Sequence, residues 1–388
     1  MTDDFKEYLN RELLNIDGDG LLRHVRQIHS AQGARVEVDD CEVLNFSSND
    51  YLGFANHPVL KASATKAVEE FGTGTGAARL ISGSLRPHQM LENVLADFKG
   101  TEAALSFSTG YAAAGVIPVL VGKGDVIVVD KLSHACLVDA ARLSEAKLRV
   151  FKHNDLDDLE RILHWAGLQD GRTLVVTESV FSMEGDIAPL LNIVKLKEQY
   201  GAWLMVDEAH ATGLYGEHRR GLVEEFDVGE RIEVQMGTLG KALGAAGGYV
   251  CGSRALIDLL LNRVRTFMFS TAPVPAQVTA AQAGIELVQS SEGAERRSIL
   301  WSLVDRLING LVQQKWKIPP VRSAIISLMV GSEDDALGLS ERLMEGKILV
   351  PAIRFPTVAR GAARLRITVS ASHSSEDIDA FLEVIGDA

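Results

Sequence analysis

Seven short apolar runs, at 103–108, 126–130, 148–151, 174–178, 203–207, 234–236 and 249–251, constrain this chain most. Short apolar runs of this kind read as buried parallel strands, and the amphipathic stretches between them (111–120, 156–165 and 189–200) read as crossover helices. The expected fold class is α/β, with a mostly parallel sheet and helices on both faces. From about residue 281 the rhythm changes. A long helical stretch through 296–313, apolar runs at 324–330 and 364–370 and a last helix at 375–385 suggest a smaller α+β C-terminal domain. Ahead of the sheet, Phe5, Leu9, Leu13 and Leu14 recur at helical spacing in an N-terminal arm, and 36–38 and 43–46 suit a hairpin turning at Asp39 and Asp40. The expected division is 1–48 for arm and hairpin, 49–280 for the large domain and 281–388 for the small one.

Charge narrows the partners. The net charge is -13 and no run of Lys or Arg interrupts it, which disfavours nucleic acid and anionic membrane. Cys41, Cys136 and Cys251 are an odd, widely spaced set without a CxxC pair, arguing against a disulfide framework or a structural zinc. The apolar stretch 112–121 is too short to span a bilayer, and 1–10 has no signal-like apolar region. A cytoplasmic protein without a metal is expected.

In open parallel sheets, ligands sit beyond the carboxyl ends of the strands. Five runs here end in polar clusters: Ser108-Thr109-Gly110-Tyr111, Asp130 to His134, Glu178 to Ser182, Asp207 to His210, and Gly237-Thr238-Leu239-Gly240-Lys241. A lysine at that edge can form an imine with an aldehyde cofactor if its surroundings keep the amine partly neutral. Pyridoxal phosphate also needs an anion for its ring nitrogen, a plane over its ring and amide donors for its phosphate. Asp207, His134 and the Gly110-Tyr111 and Thr238 turns suit those needs. Each residue alone has a plainer reading as a cap, a turn or a solvated side chain. Their arrival at one edge favours the cofactor.

Two other motifs compete. Asp207-Glu208-Ala209-His210 spells the Walker B form of some helicases, but Ala242 follows Gly240-Lys241 where Ser or Thr belongs, and the order of the two motifs is reversed. Gly72-Thr73-Gly74-Thr75-Gly76 lacks GxGxxG spacing and a preceding strand.

Asn45-Phe46-Ser47-Ser48-Asn49-Asp50-Tyr51-Leu52-Gly53, Ser133-His134-Ala135, Val180 to Asp186, Val206 to Gly213 and Thr238 to Ala242 occur in an order that resembles the α-oxoamine synthases, pyridoxal-phosphate enzymes of fold type I. The resemblance covers nearly the whole chain. It implies Lys241 as the Schiff-base lysine and α-proton base, Asp207 as partner of the ring nitrogen, His134 as the stacking plane and His210 beside the phenolic oxygen. Glu178 and Ser182 join the cofactor set. Ser270 and Thr271 would reach the phosphate of a neighbouring subunit, so a homodimer with shared active sites is implied. Asn49 and Arg366 would position the amino acid, with Arg366 holding its carboxylate, as a planar guanidinium does better than an ammonium. The segments 352–358 and 363–366 resemble members that join L-alanine to a pimeloyl thioester, carried on CoA or an acyl carrier protein, in biotin synthesis. Arg23 and Arg354 match positions linked there to the acyl or product carboxylate. The Lys241 loop is shared with members that condense glycine with an acetyl thioester, so that partner stays open. Departures lie at Phe355 and Ala359, where prolines are usual, and at Ala77-Ala78.

Overall fold

The computed structural model describes residues 3–23, 25–318 and 322–388, so residues 1, 2 and 24 of the expected arm fall outside it. The arm contains the helix Asp3–Gly18, whose Phe5, Leu9, Leu13 and Leu14 are exposed. Strands β1 (Arg35–Val38) and β2 (Cys41–Asn45) pair antiparallel around Asp39 and Asp40, which both have positive φ, 49° and 61°. Such a two-residue left-handed turn matches the twist of its strands, and aspartate tolerates it better than most residues.

The central sheet contains β3 (Ala103–Phe107), β4 (Val126–Asp130), β5 (Lys147–Phe151), β6 (Thr173–Glu178), β7 (Trp203–Asp207), β8 (Val234–Thr238) and β9 (Gly248–Gly252), ordered β3-β9-β8-β7-β6-β4-β5. Alternate residues enter two separate cores. Val126, Val128, Val175 and Val206 face one, and Ile127, Val129, Val176 and Met205 face the other. This is the period-2 pattern of strands covered on both faces, each buried side chain contributing about 1.5–3 kcal/mol. Strands β5, β4, β6, β7 and β8 are parallel, but β9 runs antiparallel to both β8 and β3. The expectation of parallel strands fails there because the loop 239–247 is too short for a crossover helix.

The stretch 111–120 does not form the single helix expected of it. It is three short pieces, Gly110–Ala113, a tight turn at Ala114–Val116, and Ile117–Leu120. Pro118 has no amide hydrogen to bond back along a helix. A side chain on Gly115 would meet Thr266 Oγ1 at 2.6 Å, so the backbone is held close to a neighbour.

Beyond the central sheet, β10 (Ile325–Gly331), β11 (Ile348–Leu349), β12 (Ala352–Ile353) and β13 (Ala363–Thr368) complete the strands of the described residues. An antiparallel sheet has the order β10-β13-β12, while β11 pairs parallel with β2 and fastens the hairpin to the C-terminal region. Residue 281 lies inside the helix Pro275–Gln289, which packs on the helices Pro58–Phe71 and Arg86–Lys99. We propose that the small domain begins instead at the helix Ser291–Gln313.

Strand β9 crowds the turn that opens the helix at Gly110. A Cβ on Gly248 would lie 2.5 Å from the Thr109 carbonyl oxygen and 2.7 Å from Gly110 Cα. Gly248→Ala is expected to cost about 1–3 kcal/mol of stability in urea denaturation. An unchanged midpoint would show that these backbones do not need their close approach.

Candidate active site

The parallel register sets Glu178 directly beside Asp207 at the ends of β6 and β7. Both carboxylates are buried. They line a cavity of about 180 Å³ together with Gly110, Tyr111, His134, His210, Thr238 and Lys241, bringing eight expected site residues to one place. Larger clefts of about 610 and 760 Å³ lie beside Trp301 and at the opposite end of the sheet, but neither contains a lysine.

Local structure aims each group. Asp130 ends β4 and its carboxylate accepts the Leu132 amide, shaping the turn that delivers His134. His134 then caps the helix Ala135–Leu143, with Nδ1 accepting the Cys136 amide at 3.2 Å and Cys136 Sγ 3.0 Å away. The His134 amide donates to Glu178 Oε1 at 2.5 Å. Tyr111 is exposed at the cavity mouth, where its phenol donates to Asp139. Asp207 Oδ1 accepts the Ala209 amide at 2.9 Å, which starts the tight turn carrying His210.

Lys241 connects the cavity to Asn49 and Arg366. Its Nζ lies 2.8 Å from His210 Nε2, and His210 Nδ1 lies 2.5 Å from the Tyr51 hydroxyl. Tyr51 donates to Asn49 Oδ1 at 3.2 Å, and Arg366 Nη2 donates to the same oxygen at 2.9 Å. The two ring nitrogens of His210 thus face Tyr51 and Lys241, one of them donating and the other accepting in the neutral ring. Arg366 also donates to the Ser182 carbonyl at 2.6 Å and Thr368 Oγ1 at 3.0 Å.

Burial lowers the Lys241 amine, and Arg366 adds to this; Asp207 and Glu178 resist, leaving it at about 8. His210 is held neutral, well below the ordinary histidine value, by burial and then by the Lys241 and Arg366 charges. Burial raises Glu178 well above the usual carboxylate range, and Asp207 adds to this. Asp207 is raised by burial as well, opposed by Lys241 and the Ala209 amide. Burial also lowers His134 and pushes the Cys136 thiol up to about 12, so both face the cavity uncharged. A carboxylate pair, a lysine able to lose its proton and a neutral imidazole suit a cationic heteroaromatic ring bearing an aldehyde.

The remaining expected residues lie elsewhere. Ser270 and Thr271 line a separate small cavity beside Arg79, and Thr271 bridges to Ala78. Arg23 is exposed. Arg354 donates to the Gly20 carbonyl, so the chain just before Arg23 lies beside it. The helicase reading fails, since Glu208 is fully buried against Lys99 Nζ at 2.7 Å and accepts the Val223 amide at 3.0 Å. Segment 72–76 follows a helix, not a strand.

Tyr51 was not anticipated as a site residue. A tyrosine two positions after Asn49 is the only local sign of it, and its partner His210 is 159 residues away.

The sequence matches the family Aminotransferase class I and II over residues 41–385, and the chain belongs to that family. Its fold is that of fold type I transferases. It shares 0.92 TM-score and 29% identity with a serine palmitoyltransferase from S. paucimobilis with a bound PLP–myriocin aldimine, covering 97% of this chain and 95% of that one. Within this class the chain groups with the 8-amino-7-oxononanoate synthases. It is 47% identical to that of Geobacter sulfurreducens, covering 95% of this chain and 94% of the relative. It is 45% identical to that of Geotalea daltonii, covering 96% and 95%.

The low value at Lys241 is testable in cofactor-free protein. Labelling of Lys241 by an amine reagent, followed by peptide mass spectrometry, is expected to rise with a midpoint near pH 8, because only the neutral amine reacts. A midpoint at the ordinary lysine value of about 10.4 would contradict the described burial.

Proposed function

We propose that this chain binds pyridoxal 5'-phosphate and condenses L-alanine with a pimeloyl thioester to 8-amino-7-oxononanoate, carbon dioxide and free thiol, a step of biotin synthesis. The observation that carries this is Lys241, depressed in pKa beside a buried carboxylate pair and joined through His210, Tyr51 and Asn49 to Arg366. The names of the sequence relatives support the substrates.

In this proposal Lys241 holds the cofactor's aldehyde carbon, Asp207 faces its ring nitrogen and His134 covers its ring. His210 stands at its phenolic oxygen, and Glu178, Ser182, Thr238, Gly110 and Tyr111 complete the cradle. When bound, the cofactor supplies an electron sink for the pair left at alanine Cα after proton loss and again after loss of carbon dioxide. Arg366 grips the alanine carboxylate, and Asn49 fixes the guanidinium that does so. Lys241 takes the proton from Cα and later returns one there, a task suited to an amine that titrates near neutral pH. Neutral His210 shares a hydrogen bond with Lys241 and so orients its amine without adding a charge. Arg23 and Arg354 meet the far carboxylate of the acyl chain, carried on CoA or a carrier protein.

We also propose a homodimer. Ile81, Phe269 and Tyr111 are large apolar side chains left 80%, 68% and 53% exposed, with Tyr111 at the cavity mouth and Phe269 next to Ser270. A second copy covering them would bring Ser270 and Thr271 towards the partner's phosphate. Three free cysteines suit a reducing compartment such as the cytoplasm.

Release of free thiol from pimeloyl-CoA is expected with L-alanine and not with glycine. Thiol release only from acetyl-CoA with glycine would replace this substrate pair by the glycine and acetyl one.

A further inference from the structure

A polar cluster lies at the end of β4, outside the cavity. His153 Nδ1 is 3.0 Å from Asp130 Oδ1, and its Nε2 is 2.8 Å from Asp186 Oδ2. Asn154, held at a positive φ of 54°, donates its amide to Asp130 Oδ2 at 3.0 Å and its side chain to Asp186 Oδ2 at 3.2 Å. The His153 ring also stands edge-on to Phe181, centroids 4.4 Å apart. Both ring nitrogens face carboxylates, so the imidazolium form satisfies both at once. Burial alone would lower its pKa, but the hydrogen bonds to Asp130 and Asp186 outweigh it and raise the value to about 10.

Asp186 closes a compact segment. Its carbonyl accepts the Phe181 amide at 3.0 Å, and the Phe181 carbonyl accepts the Gly185 amide at 2.8 Å. On its other side this segment meets the small domain. The Ser182 carbonyl receives Arg366 Nε, and Glu184 receives Arg364 Nη1 at 2.9 Å, both arginines coming from β13. Gly185, at a φ of 73°, passes so close to β10 that a Cβ would lie 2.2 Å from the Ile325 carbonyl oxygen. The segment is thus held from below by His153 and grips β13 from above.

We propose that His153 is a positioning residue, clamping segment 180–187 to the end of β4 so that the Ser182 carbonyl fixes Arg366 for the amino-acid carboxylate. The role of Arg366 in this rests on the proposed function; the mechanical coupling does not. His153 acts through the segment and touches no substrate. Loss of the clamp loosens the Ser182 carbonyl and leaves the Lys241 side of the site in place.

Two variants test this, His153→Gln and Asp186→Asn, the second keeping the acceptor oxygen and shape while removing the charge. Backbone hydrogen exchange in the full chain is expected to rise in 180–187 and in β13 together, with β7 unchanged. In turnover, KM for L-alanine is expected to rise about tenfold, which corresponds to about 1.4 kcal/mol, with kcat little changed. A smaller effect of the same kind is expected from Asp186→Asn. Faster exchange confined to 180–187, or to neither segment, would overturn the coupling. Coupled exchange with lowered kcat and unchanged KM would overturn the positioning role. Should the wild-type chain not turn over L-alanine, the proposed function falls, while the exchange data still decide the clamp.

Discussion

Glu178 and Asp207 end adjacent parallel strands and are buried side by side; burial raises the proton affinity of both, and the Asp207 charge raises that of Glu178 further. A buried charge costs several kcal/mol unless partners meet it, and two neighbouring ones cost more. The surrounding structure supplies those partners. The His134 and Ala209 amides donate to the pair, and the Lys241 charge opposes the rise at Asp207. This arrangement lets a cation enter the cavity favourably, and it holds a lysine amine at a value where it can gain and lose a proton.

The second constraint is distance along the chain. Asn49 and Tyr51 precede the sheet, His210 and Lys241 follow β7 and β8, and Arg366 comes from the small domain, yet one line of hydrogen bonds passes through all five. Such a line tolerates little slack, since each bond fixes the donor direction of the next. The fold therefore holds the hairpin, the large sheet and β13 in one register. The pairing of β11 with β2 and the bonds from β13 to Ser182 and Glu184 serve this end.

Much of this architecture is legible in the amino-acid sequence. Short apolar runs mark the strands, although the edge strand β5 is not buried as expected and leaves Lys147, Arg149 and Val150 exposed; the polar residues that follow the runs mark the ligand edge, which is why Asp207, His134, His210 and Lys241 could be named together. The antiparallel β9 was not legible, because an apolar run carries no direction and only the short return loop from β8 reveals it. The broken helix after Gly110 was hidden by continuous apolar character, although Pro118 was a sign. Tyr51 escaped notice because its hydroxyl matters through partners far along the chain. His153 escaped for a similar reason, since its two carboxylates lie 23 and 33 residues away on either side of the loop they join. Ser270, Thr271, Arg23 and Arg354 lie outside the cavity of a single chain, and their proposed roles depend on a second copy or on the acyl substrate.

The central claim is that Lys241 is the attachment point, and covalent trapping addresses it most directly. Full-length protein is incubated with pyridoxal phosphate, reduced with borohydride, digested and read by mass spectrometry. A stable cofactor mass is expected on the peptide that contains Lys241, with the visible absorbance of the bound cofactor lost on reduction. Cofactor mass on a different lysine, or none after reduction, would contradict it.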